Sequence, residues 1–314
     1  MKTITIVIPI YFNQDSLGVL AQRLSAVCLQ LRTEMYICST VVFVDDGSGD
    51  DSWTFIENID IEGAEVIAIK HAKNYGTVQA IKTGYMQVES DCYTCIAADL
   101  QDPPELILEM VRLWLDTDYK IILCSREEKS DGLITDFFSA CYFKFMNIFL
   151  GSYPVGGFDI ALIDSSLIGY FRKIPKYMYF QPLVIGLGCK YLQIPYRRSK
   201  RVHGKSKNTF FKKIRYFSDS ILSLSNYPLR FVTMFSLSIA AISLCYSTYL
   251  VIYKILFGIE TKGFATIIAL ISFLGASIIS MLGIIGKYVW RLYDSKYGLP
   301  GSVVETVLRK NSGV

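Results

Sequence analysis

Over residues 1–125, short apolar runs rich in β-branched side chains alternate with stretches of helical spacing. TITIVIPI reads as a strand, and apolar positions between Ser16 and Leu31 recur at helical intervals. STVVFVDDGS is a strand ending in acids, EVIAIK a third strand, GTVQAIKTGYMQV a helix and CYTCIAAD a fourth strand. PPELILEMVRLWL opens with proline in its first turn, where helices tolerate it, and KIILCS is a fifth strand. Near-continuous apolar strands separated by helices predict an α/β domain with a mostly parallel, Rossmann-like sheet covered on both faces. Ligands of such sheets bind beyond the carboxyl ends of the strands. Here those ends carry PIYFN, DDGS, KHAKN, ADLQD and SRE, and four of the five are polar or charged.

Residues 126–196 are less regular. FFSACYFKFMNIFLG is aromatic and helix-like, GGFDIALID is a glycine turn entering a strand, a helix starts near Ser165, and YLQIPYRR is a further strand-like run. Beyond them the pattern changes. No charged side chain interrupts residues 231–253 or 263–286, and each stretch exceeds the ~20 residues a helix needs to cross a bilayer core of ~30 Å. Both lie too far along the chain to be signal peptides, and MKTITIVIPIYFN reads as a strand, not a cleaved leader. The expected organisation is an α/β domain at 1–198 and a basic juxtamembrane loop with an amphipathic helix at 199–228. A two-helix transmembrane hairpin at 229–290 and a cytoplasmic tail at 291–314 follow.

Composition agrees with a membrane anchor: 52% of the 314 residues are hydrophobic and the mean hydropathy is +0.34. The net charge of +4 is small, but Arg197 to Arg215 holds nine Lys/Arg and no acid. That block immediately precedes the first apolar stretch, so by the positive-inside rule it stays cytoplasmic. A short loop joins the two stretches, which returns the chain to the same side and predicts a multi-pass membrane protein with both termini in the cytoplasm. Phe210, Phe211, Ile214 and Phe217 have the spacing of a helix lying in the lipid interface. A two-helix anchor also favours self-association, and nothing points to a nucleic-acid partner. Eight cysteines occur without metal-ligand spacing beyond the single CYTC. They read as buried free thiols of a reducing compartment.

Candidate chemistry concentrates in three places. In VDDGSGDDSW, Asp45 and Asp46 end a strand. They suit either a turn with a helix cap at Ser48 or Asp50 or contact with a nucleotide. In ADLQDPPE, Asp99, Gln101 and Asp102 offer the hard oxygen donors that Mg²⁺ or Mn²⁺ prefers. Asp102 also suits an N-cap for a helix begun by Pro103. In KRVHGKSKNTF, glycine and serine interrupt the lysines, which fits a loop that meets phosphate as well as juxtamembrane lysines that meet lipid head groups. His71 and His203 show no partner pattern for a dyad or metal site and read as incidental. No GxGxxG follows the first strand and no GxxxxGK[ST] occurs, so dinucleotide and P-loop readings lack their fingerprints.

IVIPIYFN, VDDGSGD, KNYGTVQAIKTGY, ADLQDPPE, GGFDIALID and RVHGKSK occur in one order across residues 4–207. In that order they resemble family 2 glycosyltransferases of the GT-A fold, in particular the polyprenyl-phosphate branch of dolichol-phosphate mannose synthases and bacterial undecaprenyl-phosphate glucosyltransferases. The resemblance implies inverting transfer of a sugar, glucose or a related hexose, from a nucleotide sugar such as a UDP-sugar to polyprenyl phosphate. It implies nucleotide contacts by Pro9, Tyr11, Asp45, Asp46, Lys73 and Asn74, and a divalent cation, Mg²⁺ or Mn²⁺, held by Asp99 and Gln101. Asp99, Asp102 and Arg126 become the catalytic candidates. Arg126, Ser139, Arg201, Lys205, Ser206 and Lys207 become the acceptor and diphosphate set.

The chain departs from the family pattern at four points. Ala97 stands where many members have the first Asp of a DxD, and Phe12–Asn13 replace a frequent Asn-Glu. Thr135–Asp136 lie where a second basic residue often binds acceptor phosphate, and Gly157 and Asp159 stand where some relatives have Asp and Arg. Two other readings compete. A processive polysaccharide synthase would carry a QxxRW-type motif, which none of Trp53, Trp114 and Trp290 belongs to. A membrane-anchored sugar-nucleotide scaffold would draw on Ala97 but does not need Asp99, Gln101, Arg126 and Lys205.

Overall fold

The structure is a computed structural model. It describes residues 1–127, 144, 146, 147, 151, 153, 154, 157–172, 180–198, 227–257, 263–297 and 300–310. The chain divides into two compact units, Met1–Phe217 with Pro300–Val314, and Ser218–Leu299.

The first unit runs β1 (Lys2–Ile10), α1 (Gln14–Glu34), β2 (Ile37–Asp45), α2 (Ser52–Asn58), β3 (Ala64–His71), α3 (Thr77–Tyr85), β4 (Cys92–Cys95), α4 (Leu106–Asp116) and β5 (Ile121–Arg126). It continues with β6 (Ile160–Asp164), α5 (Ser165–Arg172), α6 (Phe180–Gly186), β7 (Tyr191–Tyr196) and, after the second unit, β8 (Val304–Lys310). The strands form one eight-stranded sheet in the order β7-β5-β6-β4-β1-β2-β3-β8. Only β6 and β8 pair antiparallel with their neighbours, so the sheet is mostly parallel, as the alternating pattern predicts.

Helices form where apolar side chains repeat at helical intervals. Leu17, Leu20, Leu24, Val27, Cys28 and Leu31 give α1 a buried stripe, and Ile107, Met110, Val111 and Trp114 do the same for α4. Both stripes join the strand residues Ile4, Ile6, Ile8, Val41 and Phe43 in one core. On α3 the packing is closer still: a Cβ added at Gly84 would lie 2.5 Å from Cγ1 of Val7 on β1. No side chain larger than hydrogen fits there.

Two expectations change. The fourth strand ends at Cys95, not at Asp99, so four residues that the apolar run assigned to a strand form the loop that carries the acids. The stretch read as a tail, 291–314, supplies the end of a helix and then β8, which pairs with β3 from Val66↔Lys310 to His71↔Val304. Along VETVLRK exposed and half-buried positions alternate from Glu305 onward, as on an edge strand with one covered face.

The second unit contains α7 (Tyr227–Phe257) and α8 (Phe264–Tyr297), 31 and 34 residues long. They lie side by side, with the Ser236 hydroxyl 2.9 Å from the Met281 sulfur. Among the described residues one segment, Phe273–Tyr297, is long and apolar enough to cross a membrane, while the shorter apolar run of α7 is Leu229–Ile239. The single qualifying segment sits later in the chain than the 263–286 stretch, and a second crossing is not established by length and composition. The amphipathic helix expected around Phe210–Phe217 lies outside the described residues.

Gly84→Ala should lower the stability of the protein by about 1–3 kcal/mol, the usual cost of overpacking, seen as an earlier thermal midpoint. Adding Val7→Ala should recover part of the loss. Equal loss with and without Val7→Ala would rule out the Val7 contact as the cause.

Candidate active site

The crevice opens where β1 parts from β4. Their ladder ends at Val7↔Cys95, with one further bond from Ile96 N to Val7 O at 3.0 Å. Pro9 faces the same side as Val7 and has no N–H, so the ladder cannot continue. On its other side β1 stays paired with β2 to Ile10↔Asp45. Strand order thus reverses at β1, with β2 and β3 on one side and β4 on the other, the switch point at which open α/β sheets bind ligands.

The loops after β1 and β2 are tied together. Phe12 N donates to Ser48 Oγ at 3.1 Å, Asn13 N to Ser52 Oγ at 3.1 Å, and Asp51 N to Gln14 Oε1 at 2.9 Å. Phe12 adopts φ 57°, a left-handed turn, and leaves the Tyr11 and Phe12 rings exposed and edge-to-face at 4.7 Å. Ser48 N donates to Asp45 Oδ1 at 3.1 Å, while Asp45 Oδ2 is buried with no hydrogen-bond partner among the described residues. Desolvation raises the Asp45 pKa, and the Ser48 contacts oppose that rise.

Asp46 is differently placed. Its Oδ1 accepts from Tyr75 N at 2.9 Å and meets His71 Nδ1 at 2.8 Å, and its Oδ2 accepts from Gly76 N at 2.7 Å. These bonds hold the turn that carries Lys73 and Asn74. Gly47, at φ 71°, lies so close beneath it that an added Cβ would be 2.6 Å from the Lys73 carbonyl carbon. A nucleoside contact by Asp46 would therefore compete with three existing partners. His71, read as incidental, is buried and sits at the centre of this arrangement.

After β4, Ala97 contributes no oxygen ligand. Leu100 turns left-handed at φ 57°, which brings Gln101 N to Asp99 Oδ1 at 3.2 Å. Asp102 does not cap a helix: α4 begins at Leu106 after a turn closed by Leu106 N→Pro103 O and Ile107 N→Pro104 O. Asp102 instead accepts from the Tyr196 hydroxyl at 2.6 Å and lies 2.9 Å from Arg198 Nε. The two consecutive prolines explain the delay, because a residue before proline is disfavoured in the helical region. Burial pushes the Asp102 pKa up, against the hydroxyl and guanidinium that lower it. Tyr196 also stands 3.1 Å from Asp159 Oδ2, and Asp159 holds Arg126 through two bonds, Nε→Oδ2 at 2.9 Å and Nη2→Oδ1 at 2.7 Å. Arg126 is thus paired with a bidentate carboxylate that occupies two of its five N–H groups.

The fold brings Pro9, Tyr11, Asp45, Asp46, Lys73, Asn74, Asp99, Gln101, Asp102 and Arg126 to the carboxyl ends of β1 to β5. Ser139, Arg201, Lys205, Ser206 and Lys207 lie outside the described residues, as do Thr135, Asp136 and His203. Tyr196, Arg198, Asp159 and His71 were not among the candidates. A faint signal existed for the first two, since YRR follows an apolar strand run just as the acids do. Among the described residues no three His, Cys, Asp or Glu side chains group as metal ligands.

The family described as Glycosyl transferase family 2 matches residues 5–176, more than half of the chain. The chain belongs to that family. Family 2 membership makes it a glycosyltransferase. Among similar proteins, the undecaprenyl-phosphate 4-deoxy-4-formamido-L-arabinose transferase of Klebsiella pneumoniae is 29% identical over 99% of this chain and 95% of that protein. The enzyme of that name in Yersinia pestis is 29% identical over 98% and 94%. An uncharacterized glycosyltransferase of Synechocystis is 27% identical over 95% and 93%. The crystal structure of mannosyl-3-phosphoglycerate synthase from Rubrobacter xylanophilus superposes with TM-score 0.50 at 16% identity, covering 69% of this chain and 71% of that one. The α/β sheet of this family 2 protein is accordingly of the GT-A kind.

The raised Asp45 pKa has a consequence for stability. The folded state holds the Asp45 proton more tightly than the unfolded chain, so this contribution is fully present below the ordinary value of 3.8 and lost as pH rises through the folded pKa. Asp45→Asn should therefore melt above wild type at pH 7 without ligand, and the gap should close as pH falls toward 3.8. A wild type more stable than the variant at pH 7 would refute the assignment.

Proposed function

We propose that this family 2 glycosyltransferase transfers a sugar, with inversion, from a nucleotide sugar to the phosphate of a membrane polyprenol at the cytoplasmic face. The observation that carries this reading is the extent of the similarity. The relatives named for transfer to undecaprenyl phosphate align over 94–95% of their own lengths, which includes the apolar helices that follow the catalytic unit. A UDP-sugar is the expected donor. The sugar itself is glucose, a related hexose, or the formamido-arabinose for which those relatives are named.

The geometry supports a division of labour along the crevice. Tyr11 and Phe12 offer exposed rings to a base at the end of β1, and Asp45 Oδ2 offers an unmet acceptor to a nucleoside N–H or O–H. Asp46 contributes indirectly, through the Lys73–Asn74 turn. A resident metal would need more carboxylates than this site groups together. A cation that arrives with a diphosphate needs one or two, because Mg²⁺ keeps several waters and phosphate oxygens in its shell. Asp99, with Gln101 beside it, fits that lighter requirement. When bound, the cation would neutralise charge on the departing diphosphate.

The acceptor is already an ionised phosphate, so its oxygen needs aiming more than deprotonation. Arg126 and Arg198 suit that task. Arg198 is oriented by the buried Asp102 and Arg126 by the half-buried Asp159, and both guanidiniums suit a phosphate with their further donors. Asp102 is fully engaged by Tyr196 and Arg198, so its role is to hold Arg198 rather than to accept a proton. The basic segment with Arg201, Lys205, Ser206 and Lys207 is proposed to close over the diphosphate, with Ser139 beside the acceptor phosphate.

Two membrane crossings by α7 and α8 are part of the proposal. Tyr246, Tyr249, Tyr253 and Phe257 form a ladder of rings toward the end of α7, and Trp290, Tyr293 and Tyr297 do so toward the end of α8. In a hairpin these ladders fall at opposite ends, as aromatic belts do at the two faces of a bilayer.

Membranes containing the protein should transfer labelled sugar from a nucleotide sugar to undecaprenyl phosphate, and EDTA should stop the transfer. A panel of UDP- and GDP-sugars identifies the donor. Asp99→Ala should cut the rate by at least about 100-fold, consistent with losing several kcal/mol of metal-assisted charge stabilisation. Undiminished transfer by Asp99→Ala would remove the metal assignment, and failure with every donor would favour a non-catalytic scaffold.

A further inference from the structure

A polar chain, buried except at its Ser302 end, runs through the first unit from the lead-in of the C-terminal strand to the crevice, and the mechanism above does not use most of it. Ser302 Oγ lies 3.0 Å from Thr83 Oγ1, Thr83 Oγ1 lies 3.0 Å from His71 Nε2, and His71 Nδ1 lies 2.8 Å from Asp46 Oδ1. Four elements contribute: the lead-in to β8, helix α3, the end of β3 and the loop after β2. His71 and Asp46 are 1% and 3% exposed, so bulk water does not compete for the bond between them.

The donors can be assigned in one direction. With a neutral imidazole, Ser302 O–H donates to Thr83 Oγ1, Thr83 O–H donates to His71 Nε2, and His71 Nδ1–H donates to Asp46. Every atom in the chain then has a partner of the right kind, and each bond polarises the next. The terminus of the chain is the Asp46 carboxylate, whose other bonds fix Tyr75 N and Gly76 N, in the turn that carries Lys73 and Asn74. The lead-in to β8 is closely seated. Ala72 N donates to Val303 O at 3.0 Å, and an added Cβ at Gly301 would lie 2.4 Å from Gln79 Oε1.

We propose that His71 is a positioning residue for the donor nucleotide. Through Asp46 it sets the 73–76 turn, and it is itself set by Ser302, so the donor side of the crevice is complete only when the C-terminal strand is seated against β3. The inference rests on the reading of this crevice as a nucleotide-sugar site. Its chemistry is simple. A carboxylate that must align two amides at once needs its third donor to keep both oxygens in place, and a buried histidine supplies it.

The full-length protein in lipid nanodiscs provides the test, with UDP and GDP as probes. His71→Ala should speed hydrogen exchange at the Tyr75 and Gly76 amides and weaken binding of the preferred nucleotide about tenfold, the scale of one lost hydrogen bond to a charged group. In transfer assays the donor KM should rise while kcat and the acceptor KM hold, and His71→Gln, which keeps a donor, should recover part of the loss. Ser302→Ala, a milder change at the far end, should shift the same readouts in the same direction and covers the case in which His71→Ala does not fold. Unchanged exchange at Tyr75 and Gly76 in the folded variants, or nucleotide affinity unchanged where wild type binds, overturns the proposal. If wild type binds neither UDP nor GDP, the nucleotide-sugar reading falls and the positioning role with it, even if the exchange result shows that the turn depends on His71.

Discussion

The parting of β1 from β4 is the constraint on which the site depends. Parallel strands exchange N–H and C=O groups alternately with the two neighbours, and Pro9 has no N–H to give on the β4 side. The ladder stops three residues earlier on that side than on the β2 side, at Val7 rather than Ile10. Beyond that point the loop after β1 stays with β2, and the loop after β4 swings toward β5, β6 and β7. Tyr11, Asp45 and the Lys73 turn gather on one wall, while Asp99, Asp102, Asp159 and Arg126 gather on the other.

The acids of the two walls meet burial in three physically different ways. Asp46 is saturated by amides and an imidazole and acts as a brace. Asp102 and Asp159 are satisfied by Arg198 and Arg126 and bridged by Tyr196. Removing one partner of such a pair leaves a buried charge, which is why these groups must be treated as a unit. Asp45 alone among these acids keeps a buried oxygen with no donor among the described residues. An unmet acceptor opposes stability, and its persistence at a ligand-binding edge fits a site organised for a partner other than solvent.

The second unit follows a different logic. α7 and α8 expose Phe231, Leu237, Ile255, Ile271, Ile279 and Leu282 widely, a distribution that water penalises and lipid does not. Their packing uses small and soft residues such as Ser236 and Met281. Helix association within a bilayer rests on such close contacts because lipid is as apolar as the side chains.

Much of the catalytic unit was legible along the chain. Alternation of strand and helix periods gave the parallel sheet, and the acids at the strand ends marked the edge where the candidate residues gather. Burial patterns are local in sequence, since each period is set by the geometry of one element. The two apolar stretches were legible for the same reason, although only one described segment qualifies as a span. The partners of the acids were not. Asp102 looked like a helix cap because capping is a local rule, yet the tandem prolines delay the helix and Tyr196 and Arg198 arrive from almost a hundred residues away. Asp159 and Arg126 meet only because β6 runs back between β4 and β5, and His71 gains its partners from the loop after β2 and from α3, whose Thr83 is met in turn by Ser302 in the lead-in to a strand that looked like a tail. The amino-acid order by itself determined the run of parallel strands with the longer helices between them, the two apolar stretches and the polar character of the strand ends, because those follow from repeat periods and residue type. Tertiary structure decided which carboxylates are braces, which are paired and which is left unmet, because a buried charge takes its character from the donors around it, and those come from distant parts of the chain.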